Sequence, residues 1–258
     1  MEMQSIATRR ADGTAGRLVG RTAVVTGASS GIGRSIALRL AAEGAAVTAV
    51  GRSGKRLDTV VGTAAGRNGA GEITAAQVDL TDDGARRAFV SWLARGPRVD
   101  LLVHSVGLYR RAQHADAALA DLDDMYATNV RGPYALTQEL LPMLRAAEAA
   151  DIVMMNSTAG LRAAGHVGQY AATQHALKAI ADSLRQEVNA DGIRVCSMHL
   201  GRTATPLQED VFRAEGRPYN GQLLVQPDDV AEVVVNVVSL PERVEVPEVH
   251  LRPSRASY

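Results

Sequence analysis

The stretch RTAVVTGASSGIGRSIALRLAAEG, residues 21–44, constrains the fold more than any other part of the chain. A short β-rich run, RTAVVT, leads without a gap into a turn carrying Gly27, Gly31 and Gly33. From there the apolar residues fall at helical spacing until Gly44. Glycines allow a tight turn and let a phosphate approach the backbone. The N-terminus of the following helix offers free N–H groups and the positive end of its dipole. A glycine-rich turn alone is a weak signal, but between a strand and a helix it reads as a cradle for a pyrophosphate.

The same alternation continues. AAVTAV, GEITAAQVDL, RVDLLVHS, DIVMMNS, GIRVCSMHL and VPEVHL read as further strands, separated by helix-like segments. One of these is a long helical region ending near Ala149. Another contains Tyr170, and a third lies near PDDVAEVVVNVVSL. Seven strands separated by helices predict an α/β fold with a mainly parallel sheet covered on both faces. Right-handed crossovers make the doubly wound (Rossmann) arrangement the simplest one. Residues 18–258 are expected to form a single domain. Residues 1–17, polar and without an apolar core, are expected to be a disordered leader rather than a signal peptide.

Acidic and basic residues balance at 28 each, so the charge gives no footprint for a nucleic acid. No apolar run approaches the roughly 20 residues that span a bilayer, so no membrane partner and a cytoplasmic location are expected. Cys196, the only cysteine, excludes an internal disulfide and sits in a buried-strand pattern. No metal is expected.

The spacing T-G-x-x-x-G-x-G of Thr26–Gly33 resembles that of the short-chain dehydrogenase/reductase family, and the resemblance runs from about Leu18 to the C-terminus. It implies that Gly27, Gly31 and Gly33 shape the loop, that Ser29 and Ser30 face the phosphates, and that Ile32 packs under a nicotinamide dinucleotide. It also places Asp79, at the end of the third strand, against the adenine. An acidic residue near the end of the second strand usually grips a ribose with free hydroxyls. Here Gly51 stands at that point and Arg52 follows. A guanidinium suits a 2′-phosphate by charge and by its forked donors, so NADP(H) is expected in preference to NAD(H).

Reducing a carbonyl with a nicotinamide requires a hydride, a proton for the developing alkoxide and donors that polarise the C=O bond. The resemblance assigns these tasks residue by residue. Asn129 matches the family asparagine of a proton relay, which holds a water. Ser157 matches the serine that bonds the substrate oxygen. Tyr170, thirteen positions later, matches the proton donor. The family lysine four residues beyond the tyrosine is replaced by Gln174. Residues four apart share a helix face, so Gln174 should still point toward the site. Lys178 lies about 12 Å along the axis from Tyr170 and cannot substitute. An amide can take over part of the lysine's contact with the nicotinamide ribose. It cannot lower the tyrosine pKa of about 10. Reduction, which starts from neutral tyrosine, should therefore survive better than alcohol oxidation, which needs tyrosinate.

Other departures cluster nearby. HSVG, His104–Gly107, replaces the family N-N-A-G, and Leu200 replaces a proline before Gly201. Gly107, Gly201 and Thr203 persist where the resemblance puts the nicotinamide. Leu207, Phe212 and Tyr219 are expected to line a largely apolar substrate pocket, with His166 a further candidate to face it. Three functions stay open: an NADPH-dependent reductase transferring hydride to a ketone or aldehyde, its small-molecule substrate a carbonyl compound or, in reverse, an alcohol; a cofactor-retaining dehydratase, isomerase or cyclase; and a non-catalytic NADP-binding protein. By resemblance, the long helices carrying Asn129 and Tyr170 would build a homodimer or homotetramer.

Overall fold

The structure, a computed structural model, describes residues 16–65, 70–96 and 98–255. In chain order the elements are β1 (Thr22–Thr26), α1 (Gly31–Ala42), β2 (Ala46–Gly51), α2 (Gly54–Ala64), β3 (Ile73–Gln77), α3 (Asp83–Leu93) and β4 (Leu101–His104). Then come α4 (Leu119–Tyr126), a π-helical turn at Ala127–Arg131, α5 (Gly132–Arg145), β5 (Ala150–Ser157) and α6 (Gly168–Val188). β6 (Ile193–Leu200), α7 (Pro206–Ala214), α8 (Pro227–Val238) and β7 (Glu248–Leu251) complete the series. Every expected strand forms, and the pairings are parallel throughout, in the order β3-β2-β1-β4-β5-β6-β7.

The sheet is buried on both faces, so its strands are apolar at consecutive positions rather than alternating. Val25, Val103 and Val153 point to one side, where Ile36 and Leu40 of α1 and Val234 and Val238 of α8 cover them. Val24, Leu102 and Ile152 point to the other, under Leu136, Leu140 and Leu144 of α5 and Leu177 and Leu184 of α6. At the lower edge, Arg21 bridges Asp100 and Asp151 at 2.6 and 2.9 Å, and Arg194 reaches Asp151 at 2.8 Å. These pairs tie four neighbouring strands, β1, β4, β5 and β6, together at their starts.

Residues 1–15 of the expected leader lie outside the described residues. Arg17, within the described residues, bonds Glu43 and Glu232, each at 3.0 Å. The long helical region ends at Arg145 rather than Ala149, and the π turn interrupts it at Asn129. Among the described residues, no helix is long and apolar enough to cross a membrane. The order of strands reverses between β1 and β4, and the crevice above their C-terminal ends is where such sheets bind ligands.

Candidate active site

A cavity of about 640 Å³ opens at that crevice. Its floor is the turn after β1. Gly27 has φ +67°, and a Cβ there would sit 2.4 Å from the Ser105 carbonyl oxygen. A Cβ on Gly33 would meet the Gly27 oxygen at 2.4 Å. Only glycine lets β1, the β4 loop and α1 converge this closely. Ser29, Ser30, Gly31 and Ile32 line the cavity with them, at the N-terminus of α1. Backbone donors and a helix dipole thus face a space free of side chains, which fits a pyrophosphate.

At one end of the cavity stand Arg52, Arg56 and Asp79. A Cβ on Gly51 would press on the Ser29 side chain at 3.3 Å, so a larger residue there would need Ser29 to give way. Burial works against ionisation of Asp79. The Thr81 amide and hydroxyl, at 2.9 and 2.7 Å, and the charge of Arg52 outweigh it and hold the carboxyl below its usual range. Arg56 was not singled out by its sequence context, because only the first turn of α2 brings it beside Arg52.

The other end holds Ser157, Tyr170 and Gln174, all lining the cavity. β5 delivers Ser157 and α6 delivers the other two. The Ser157 hydroxyl oxygen accepts from the Ala159 amide at 3.1 Å, which leaves its proton free to point outward. Asn156, unremarked in the sequence, clamps the two elements. Its Oδ1 accepts from the Ser157 amide at 2.7 Å and its Nδ2 donates to the Gln174 carbonyl at 3.0 Å.

Burial pushes the Tyr170 hydroxyl up to about 12, Ser157 beside it pulls the other way, and the Tyr109 ring raises it again. Tyr109 packs edge-on against Tyr170 with centroids 5.0 Å apart. Gln174 is buried to 5% exposure, and its Nε2 lies 3.5 Å from the Thr173 hydroxyl. No positive charge stands among the influences on Tyr170. Lys178 is occupied by Asp182 and Glu248 at 2.7 and 2.6 Å.

Asn129 is buried, and its side chain does not border the cavity. It accepts from the Leu108 amide at 2.6 Å and donates to the Leu108 carbonyl and the Thr173 hydroxyl. Through these bonds the carboxamide pins the β4 loop to α6. Gly107, Leu200, Gly201 and Thr203 border the cavity.

Two expectations change. Arg111, Arg202 and Glu215 border the substrate end beside Pro206, Leu207 and Val211, so its lining is mixed rather than largely apolar. Phe212 is 2% exposed and packs against Tyr219 at 5.5 Å, Tyr219 itself stays exposed, and neither borders the cavity. The Arg202 guanidinium sits 4.5 Å over Phe212 and bonds Glu215 at 2.7 Å. His166 is exposed and does not line the cavity. Its backbone has φ 66°, and its carbonyl accepts from the Ala112 amide.

His104, at the end of β4, is a core residue. Its Nε2 lies 2.9 Å from Thr137 Oγ1, whose own proton goes to the Pro133 carbonyl. Burial pushes its pKa down to about 3 from an ordinary 6.5. Below pH 6.5 the unfolded chain therefore binds a proton that the folded chain refuses, and stability falls as pH falls. Between pH 7 and pH 5 this group alone costs about 2 kcal/mol. Denaturant titrations at the two pH values should show His104→Leu losing about that much less than the wild type. Equal losses would contradict it.

The family model described as short chain dehydrogenase matches residues 21–216. An uncharacterised oxidoreductase of Staphylococcus epidermidis is 30% identical over 235 residues, covering 90% of this chain and 97% of its own. An uncharacterised NAD-dependent oxidoreductase of Mycobacterium tuberculosis is 30% identical over 246 residues, covering 85% of this chain and 90% of its own. Among solved structures, an alcohol dehydrogenase from the archaeon Thermococcus sibiricus, complexed with 5-hydroxy-NADP, superposes with a TM-score of 0.81 at 26% identity. It spans 92% of this chain and 99% of that one.

Proposed function

The chain belongs to the short-chain dehydrogenase/reductase family, and from that premise we propose that it is an NADPH-dependent reductase of a small ketone or aldehyde. Ser157 and Tyr170 sharing one cavity with the phosphate cradle carries this reading. In it, Gly27, Ser29, Ser30, Gly31, Ile32 and Gly33 hold the pyrophosphate. Asp79 meets the adenine, and Arg52 with Arg56 takes the 2′-phosphate. Gly107, Gly201 and Thr203 flank the nicotinamide, and the Gln174 amide meets its ribose. The nicotinamide, when bound, supplies the hydride.

What the chain itself supplies is the proton. Ser157, its oxygen engaged by the Ala159 amide, donates to the substrate carbonyl oxygen. Tyr170 Oη gives its proton to the developing alkoxide. With its pKa at about 12, Tyr170 is neutral throughout the ordinary pH range and so is always ready as an acid. As a base it is scarce, with roughly one molecule in 10⁵ ionised at pH 7. The enzyme is thus a reductase by protonation state, and alcohol oxidation appears only under alkaline conditions. Asn129 supports this machinery by fixing the Leu108 loop against α6. The charged outer rim at Arg111, Arg202 and Glu215 suits a substrate that is polar beyond its carbonyl group. Leu119, Tyr126 and Tyr134 are exposed on α4 and α5, in keeping with a homodimer or homotetramer built through those helices.

NADPH consumption against a panel of small ketones and aldehydes tests the reading. Turnover in the wild type supports it, and none with any carbonyl compound overturns it. For the cofactor, Arg52→Ala should raise the KM for NADPH about 10- to 100-fold, the loss of one charge-assisted contact. The KM for NADH should hardly change. A wild type that uses NADH better than NADPH would contradict the assignment of Arg52.

A further inference from the structure

Behind Ser157, three potential ligand side chains meet on the last two strands. β6 and β7 pair with His199 opposite His250 and Ser197 opposite Glu248. Side chains two apart along a strand share a face, so His199, Glu248 and His250 stand together on one side of the sheet. Their ligand atoms lie within 4.8 Å of one another. Glu248 Oε2 is 3.3 Å from His250 Nε2 and 4.0 Å from His199 Nε2. The two imidazoles meet edge to face with centroids 5.0 Å apart.

His199 decides what the cluster is for. Its side chain is fully buried, and Nδ1 faces the Ser157 carbonyl at 3.4 Å. An Nδ1–H donated to that carbonyl fixes the tautomer and leaves a lone pair on Nε2. That nitrogen is buried, has no hydrogen-bond partner and is directed at Glu248 and His250. A buried acceptor without a donor is destabilising. A ring nitrogen bonded to a backbone carbonyl while its partner nitrogen is left bare is how proteins orient a metal-ligating histidine.

We propose that His199, Glu248 and His250 form a binding site for a divalent transition-metal ion of the zinc type, fastening β7 to β6 directly behind Ser157. Two imidazoles and a carboxylate suit zinc, cobalt or nickel better than calcium or magnesium. Around a zinc ion with bonds of about 2.0–2.1 Å, ligand atoms stand about 3.3 Å apart. His250 and Glu248 are already at that separation, and His199 needs only a small adjustment. The ion takes the place of the proton now shared between His250 and Glu248, and water completes the tetrahedron. Lys178 opposes it: its ammonium holds the other Glu248 oxygen at 2.6 Å and repels a cation. The site is hidden in the linear chain, because only the register of β6 against β7 unites residues 199, 248 and 250.

Titration calorimetry with zinc chloride on the tag-free full chain, after chelator treatment and dialysis, tests this. One ion should bind per chain and raise the melting temperature. His250 is exposed and outside the cavity, so His250→Ala should fold and lose more than about tenfold in zinc affinity. Lys178→Met should bind zinc more tightly than the wild type, an effect that a merely structural ion pair would not produce. With cobalt, the wild type should show the visible absorption of a tetrahedral site and His250→Ala should not. Absence of saturable zinc binding, undiminished binding by His250→Ala, or weaker binding by Lys178→Met would each overturn the proposal.

Discussion

Tyr170→Phe should lower the rate of carbonyl reduction by about 10²- to 10⁴-fold, the usual worth of a positioned proton donor. The KM for NADPH should stay within a few-fold, because the cradle of Gly27–Gly33 lies on a different element. The substitution removes one oxygen that borders the cavity and leaves the ring, so its edge-on contact with Tyr109 persists. Loss of turnover with unchanged thermal stability would therefore report chemistry and not folding. A variant that kept more than about a tenth of wild-type activity would show that another group supplies the proton.

Gln174→Lys should act mainly on the opposite direction. Position 174 borders the cavity on the same face of α6 as Tyr170, so an ammonium there can reach water, cofactor and tyrosine together. A neighbouring opposite charge lowers a pKa by about 1–3 units. Each unit multiplies the tyrosinate available near neutral pH by about ten. Alcohol oxidation at neutral pH should therefore rise by about 10- to 10³-fold, while reduction, which already starts from neutral tyrosine, should change far less. Oxidation that does not respond to the lysine would mean that Tyr170 is not the base. If only the lysine variant reduces ketones, the natural protein has turned its acidic tyrosine to dehydration, isomerisation or cyclisation, where no tyrosinate is needed.

The parts that the sequence made legible are those written by local rules. Strands buried on both faces appear as short apolar runs. The turn of Thr26–Gly33 needs its glycines for contacts that any such crossing would force. Ser157 and Tyr170 came to light through a spacing, and Gln174 through its failure at that spacing. What stayed hidden depends on elements distant in the chain. Asn156 matters because β5 ends beside the Gln174 carbonyl of α6. Asn129 was found, but its structural setting was not, since nothing in TNVRGPYALTQ announces a π turn or a bond to Leu108. The segment after β6 looked apolar because Phe212 and Tyr219 are large. Phe212 is buried away from the cavity and Tyr219 is exposed, while Arg202 and Glu215 stand at the cavity wall.

The central claim is that Gln174 leaves Tyr170 protonated and therefore an acid only. Carbon-13 labelling of the tyrosine ring carbons, with the Tyr170 resonance assigned by its absence in Tyr170→Phe, reads that proton directly without a known substrate. In the wild type with NADP⁺ the Tyr170 signal should show no titration up to about pH 10, the pKa of an unassisted tyrosine. In Gln174→Lys it should titrate at least about one unit lower than in the wild type. A wild-type Tyr170 that ionises near neutral pH would contradict the claim.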